Sequence, residues 1–268
     1  MAKIAIIGLG YVGNAYGKLF PDAVIYDPKK GHKDKALVNN CYLSIVCVPT
    51  PQNRDGSCDT SIVEEVVSWI KTPLILIKST VPPGTIASLK KKYKKRICYS
   101  PEYIGEGGYY VPAWKYPHPV DIIQHDFLII GGSTKDTEEV IDIFLPILGP
   151  DKIYYQVDEK TSELIKYMDN AWTATKLIFA NEFYEIAARF GVDYNRLREG
   201  FLLDSRVERM HTSVFKDKRG FDGKCLPKDM KALVKFSRKA GYEPKFIEQI
   251  IKSNNEFLKG NKSRGNYE

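Results

Sequence analysis

Three stretches in the first half of the chain are apolar almost without a break: KIAIIG at 3–8, LSIVCV at 43–48 and LILIKS at 74–79. A strand with one face in water alternates apolar and polar positions, whereas a strand covered on both faces reads as a continuous apolar run. With shorter β-rich runs, these stretches place strands at 3–7, 23–26, 43–48, 74–78, 97–99 and 127–130. Helix candidates lie between them at 11–20, 61–71, 84–93 and 134–148. Strand and helix in regular alternation predict an α/β fold with a doubly wound parallel sheet. Right-handed crossovers then leave the ligand loops at the carboxyl ends of the strands.

Beyond about residue 156 the pattern changes. From 158 to 190 there is neither Pro nor Gly, and apolar residues recur at helical spacing, which predicts one long helix. Further helices are expected at 194–201, 230–240 and 244–258, before a polar, frayed tail, GNKSRGNYE. The expected organisation is an N-terminal domain over 1–156, an all-helical central domain over 157–260 and a tail over 261–268.

Charge and cysteine usage narrow the function classes. Forty basic and 33 acidic residues give a net charge of +7, and the basic density peaks in KKKYKKR at 90–96. Such runs are most often solvated faces. The balance suits a small anionic substrate, and no recognition motif accompanies it that would point to nucleic acid. Cys41, Cys47, Cys58, Cys98 and Cys225 show no CxxC or Cys/His spacing, so neither a metal site nor a disulfide scaffold is expected. No apolar run approaches the ~20 residues that span a bilayer, and the N-terminus runs straight into structure without a signal-peptide layout. A cytoplasmic protein without a membrane partner is the expectation.

Directly after the first strand comes Gly8-Leu9-Gly10-Tyr11-Val12-Gly13, opening the first helix. The first glycine permits a tight turn, the second lets the backbone approach a pyrophosphate, and the third lets helix and strand pack closely. Asp27 ends the second strand nineteen residues after Gly8, where an acid meets a ribose 2′-hydroxyl. The first domain therefore reads as a Rossmann-type NAD site. Lys29 and Lys30 beside Asp27 are compatible with a phosphate as well.

Four more segments fall where this fold places functional loops: VPTP at 48–51, KSTVPPGT at 78–85, SPEYIGE at 100–106 and, in the helical half, GFDGKCLPKD at 220–229. Singly, each is explained by the need to stop a strand and shape a loop. In this combination and order they resemble the UDP-glucose/GDP-mannose dehydrogenase family, over residues 3 to about 255. The resemblance implies oxidation of a nucleotide sugar's C6 alcohol to the carboxylate, with two NAD molecules used in succession. Such chemistry needs a covalent handle on the aldehyde, and a thiolate supplies it. The resemblance makes Cys225 that nucleophile, through a thiohemiacetal and a thioester, with Lys228 and Lys166 as cations able to lower its pKa.

Lys166 and Asn170, four apart on the long helix, then match the groups that stabilise oxyanionic intermediates. Asp229 matches an acid working with an ordered water that Thr80 helps hold. Glu102 matches a carboxylate in proton transfer during thioester hydrolysis, and Glu106 one near the nicotinamide ribose. The implied cofactor contacts are Gly8, Gly10, Tyr11, Val12, Gly13, Asp27, Val48, Pro49, Thr50, Ser79, Thr80, Glu106 and Lys228. The other four cysteines read as structural, and no metal is called for.

Three departures from the family pattern stand out. Asp222-Gly223 replaces a pair of glycines before the cysteine. The segment 107–121 (GGYYVPAWKYPHPVD) is unusually rich in aromatics and proline, as a lid, a contact surface or a rigid loop would be. The family continues into a further α/β domain that grips the nucleotide, and these 268 residues stop short of it. Two alternatives therefore stay open beside the nucleotide-sugar reading. One is a two-electron dehydrogenase of a small hydroxy acid or alcohol, similar to β-hydroxyacid dehydrogenases. The other is a non-catalytic NAD-binding subunit. The long helix is the expected homodimer contact.

Overall fold

The computed structural model describes residues 2–104 and 122–264. Glu106 and the segment 107–121 lie outside the described residues. The chain divides into two compact units, one of Met1–Pro51 with Cys58–Lys166 and one of Gln52–Ser57 with Tyr167–Glu268.

The first unit runs β1 (Ile4–Ile7), α1 (Tyr11–Leu19), β2 (Val24–Tyr26), α2 (Lys35–Asn39), β3 (Leu43–Val46), α3 (Ser61–Trp69), β4 (Leu74–Ile77), α4 (Thr85–Tyr93), β5 (Ile97–Tyr99), β6 (Phe127–Gly131), α5 (Thr134–Leu148) and β7 (Ile153–Val157). The sheet order is β2-β1-β3-β4-β5-β6-β7. The order reverses between β1 and β3, which pair in register from Ile4↔Leu43 to Ile7↔Val46, and that is where an open α/β sheet offers a crevice.

The continuous apolar runs have the expected cause. Ala5, Ile7, Val46, Ile75, Ile77, Ile97 and Tyr99 pack on one face with residues of α3 and α4. Ile4, Ile6, Leu43, Ile45, Leu74, Leu76 and Cys98 pack on the other with residues of α1 and α5. Successive side chains alternate faces, so a strand apolar at every position is covered twice. Each fully buried aliphatic side chain contributes on the order of 1.5–3 kcal/mol.

Three features depart from the sequence expectation. β5 and β6 are antiparallel, joined at Tyr99↔Gly131. A parallel pair needs a crossover connection, and an antiparallel pair does not. The added strand β7 is largely solvent-facing and so lacks the apolar run that marks the central strands. The short helix α2 depends on its cap, with Asp34 accepting from the N–H of Ala36 and Leu37.

The long helix, α6 (Glu159–Arg189), is unbroken because nothing in it breaks a helix; it stops before Gly191 at φ +66°. The second unit adds α7 (Tyr194–Phe201), α8 (Leu226–Lys239) and α9 (Lys245–Arg264). Ala171, Ala174 and Ile178 of α6 form its core with Phe221, Met230 and Ile250. α8 begins four residues before the expected 230. Cys225 is its N-cap and Pro227 falls in its first turn, where a missing N–H costs nothing. Among the described residues no helix is long and apolar enough to cross a membrane.

Candidate active site

At the carboxyl end of β1, two of the three glycines stand where a side chain has no room. Gly8 has φ +91°, and a Cβ there would stand 2.7 Å from the Cys47 carbonyl oxygen. At Gly13 a Cβ would stand 1.8 Å from the Gly8 carbonyl oxygen, so the turn closes only without side chains. Gly10 is the N-cap of α1; no side chain caps it, and a Cβ there would meet nothing within 4 Å. A helix N-terminus of this kind presents N–H groups and the positive end of the dipole to an anion. Asp27 reaches into the loop, its Oδ2 accepting the Leu9 N–H at 2.9 Å, while Lys30 Nζ donates to the Leu9 carbonyl at 2.5 Å. Tyr11 and Pro49 are exposed and Val12 packs on the core. This arrangement fits a dinucleotide: a cradle for the pyrophosphate and a carboxylate at the end of β2 for a ribose.

The neighbouring strand ends are tied to one another. Ser79 Oγ donates to the Val48 carbonyl at 2.7 Å, and Thr50 Oγ1 donates to the Thr80 carbonyl at 2.9 Å. Glu102 is buried. Its Oε1 accepts the N–H groups of Tyr103 and Ile104, and its Oε2 lies 3.4 Å from Lys78 Nζ. Lys78 is buried too, and donates to Ser100 Oγ at 2.9 Å and the Pro101 carbonyl at 3.1 Å. Burial lowers the Lys78 pKa, with Glu102 pulling it back. The Tyr16 hydroxyl is pushed well above the usual phenol range by burial and by the charge of the Glu102 carboxylate. Lys166 Nζ lies 5.0 Å from the Tyr103 ring centroid, a cation–π distance.

In the helical unit, Cys225 is exposed at the N-cap of α8. Its carbonyl accepts the Asp229 N–H at 2.9 Å. Asp229 is buried; its Oδ2 accepts from Asn170 Nδ2 at 2.7 Å and its Oδ1 lies 2.6 Å from Lys228 Nζ. The Lys228 ammonium thus serves this carboxylate. Asp222 is exposed. Burial raises the thiol pKa of Cys41, Cys47 and Cys98, the last to about 12, so none of these three is a thiolate near neutrality. Among the described residues no cluster of His, Cys, Asp and Glu is arranged to hold a metal.

Two groups of residues that the sequence reading passed over shape these sites. Lys78 and Tyr16 surround Glu102, and the signal for Lys78 was available: a charge closing an apolar strand run. The second group holds the approach to Cys225. Arg219 is buried, bonded to Asn181 Oδ1 at 2.6 Å and to Glu185 at 2.6 Å. Asn254 accepts the Phe221 N–H at 2.7 Å and donates to the Phe221 carbonyl at 2.9 Å. Nothing in the spacing of these asparagines signals that role.

Comparison with known proteins converges on one family. Residues 160–256 match the central domain of the UDP-glucose/GDP-mannose dehydrogenase family, and residues 30–147 match its NAD-binding domain. The UDP-glucose 6-dehydrogenase of Rickettsia bellii is 33% identical over 230 residues, covering 82% of this chain and 50% of that protein. The chain belongs to the UDP-glucose/GDP-mannose dehydrogenase family. TuaD, the UDP-glucose 6-dehydrogenase of Bacillus subtilis, is 28% identical and covers 95% of this chain and 63% of its own. The solved UDP-glucose dehydrogenase of Pyrobaculum islandicum superposes with a TM-score of 0.78 at 25% identity, covering 96% of this chain and 68% of that one. The chain spans about half the length of the Rickettsia relatives it matches. Family membership makes NAD the cofactor of the sheet-bearing unit. The family's central-domain match carries Lys166, Asn170, Cys225, Lys228 and Asp229.

Proposed function

We propose that this protein oxidises the primary C6 alcohol of a UDP- or GDP-sugar to the carboxylate, in two hydride transfers through a thioester on Cys225. The observation that carries the reading is an exposed thiol at the N-cap of α8, one helical turn from the buried Asn170–Asp229 pair. NAD, when bound, supplies the hydride acceptor. For the chain's own residues, the first step is removal of the alcohol proton by a water held with Asp229 and Thr80, while C6 gives up its hydride and becomes the aldehyde. The Cys225 thiolate then adds to the aldehyde carbon, forming the C–S bond of a thiohemiacetal whose oxyanion Lys166 and Asn170 stabilise. Loss of hydride from that carbon leaves the thioester. Water adds with Glu102 taking its proton, the C–S bond breaks, and the thiol and carboxylate are released.

The decisive experiment counts NADH per sugar consumed with a panel of UDP- and GDP-sugars. Two per sugar, abolished in Cys225→Ser while NAD binding is retained, is the expected result. One per substrate, or full acid formation by the Cys225→Ser protein, overturns the thioester route.

We further propose a homodimer built on α6. Met168, Trp172, Phe179, Phe183, Ile186 and Phe190 are exposed at spacings of a helical stripe, and apolar area of this kind marks an interface. Phe183→Glu is expected to give a monomer in sedimentation; an unchanged mass excludes the stripe. A cytoplasmic location fits five cysteines with no disulfide among them.

A further inference from the structure

Glu163 of α6 has no exposed surface, and both its oxygens serve α4. Oε2 accepts the Gly84 N–H at 2.5 Å and Oε1 the Ile86 N–H at 2.8 Å. Gly84 is the N-cap of α4, at φ +90° and without a side chain, so the cap this helix lacks locally comes from 79 residues along the chain. The turn leading to it is stiff. β4 hands over at Ser79, which is bonded to Val48, and Val81 is buried. Pro82 and Pro83 fix two successive φ angles, and Thr85 closes back on the Pro82 carbonyl through both its N–H and its hydroxyl. An anchor at Gly84 is therefore felt at Thr80. Lys166 follows Glu163 by three residues on the same helix.

We propose that Glu163 is a positioning residue of the reaction assigned above, its carboxylate tying the turn that presents Thr80 to the turn of α6 that presents Lys166. The proposal rests on that reading of Thr80 and Lys166. Only the ionised acid accepts both N–H groups in full, because protonation converts one oxygen into a donor. The charged and titratable groups around it are Glu159 and Lys160 on α6, Lys90 on α4, which pairs with Glu159 at 2.5 Å, and Cys98 on β5, within the field of both. Burial raises the Glu163 carboxyl to about 7, against the pull of the two N–H groups. The latch is accordingly complete on the alkaline side of that pH and incomplete on the acid side.

The test follows the amide resonances of Gly84 and Ile86 in the full 268-residue chain across neutral pH, together with the pH profile of kcat/KM. Both amides should titrate together and move downfield as Glu163 ionises. Glu163→Gln should abolish that titration, remove the matching inflection in the rate, and lower kcat/KM roughly tenfold on the alkaline side, mostly through kcat. Glu163→Asp, which keeps the charge, should restore part of the titration and of the rate. Amides that do not titrate in the unaltered protein, or a Glu163→Gln protein with an unchanged pH profile, overturn the proposal. A chain that oxidises no nucleotide sugar yet shows the coupled amide titration overturns the assigned reaction and leaves the latch standing.

Discussion

In the sheet-bearing unit the ligand cradle is made of backbone. Gly13 lies against the Gly8 carbonyl with no room for a Cβ, Gly8 lies against the Cys47 carbonyl, and the N–H groups of α1 face the cradle without a capping side chain. In the helical unit the candidate chemistry is held by side chains. Asn170 reaches Asp229 across 59 residues, Asn254 brackets both polar groups of Phe221, and Arg219 is buried against Asn181. A backbone-built site tolerates many side chains around it and almost none within it. A side-chain-built site fails one hydrogen bond at a time, by amounts set by how deeply each partner is buried. The difference sets how graded each unit's response to substitution should be.

The sharpest test of the backbone half is Gly13→Ala. One methyl group must displace the Gly8 carbonyl, and we expect a loss of more than about 3 kcal/mol in denaturant unfolding, with NAD affinity falling with it. Retention of both would show that the loop yields, and the contrast between the units would fail. Lys78→Met comes next, since it leaves the Glu102 carboxylate buried without its ion partner. About 3 kcal/mol should be lost, and most of it recovered in the Lys78→Met/Glu102→Gln double variant, as a double-mutant cycle would report.

Asn254→Ala leaves a buried N–H and a buried carbonyl at Phe221 without their side-chain partner. It should cost about 1–3 kcal/mol in stability and change the alkylation rate of Cys225, four residues on. An unaltered alkylation rate would mean that α8 alone sets the thiol. The smallest effect is a slope. The folded-state pKa of Glu163 stands above its ordinary value of 4.5, so between there and about 7 the unfolded chain binds fewer protons than the native one. Stability should therefore fall as pH rises through that window and level off beyond it, and Glu163→Gln should flatten the curve.

Much of this molecule was legible before any coordinate. The continuous apolar runs located the central strands because coverage on both faces leaves no other pattern, and the glycine spacing located the cradle because only glycine fits at positions 8 and 13. The same logic explains what was missed. β7, at the sheet edge, has no second covered face and hence no run. The antiparallel β5–β6 pair left no trace because strand direction depends on the connection and not on the strand. The start of α8 was read four residues late because Cys225-Leu226-Pro227 resembles a loop until the helix following it is seen.

The sequence by itself determined the doubly wound plan and the dinucleotide loop, which follow from local residue type and spacing; the family, and with it the groups expected to do chemistry, came from the resemblance its motifs carry. Tertiary structure alone decided which partners those groups keep: Lys78 and Tyr16 with Glu102, Lys228 with Asp229, Asn254 with Phe221, and Glu163 with the first turn of α4. The physical reason is range. Propensity and periodicity act over a few residues, whereas a buried polar group must find its partner wherever the fold brings one, and that distance is not written in any local pattern.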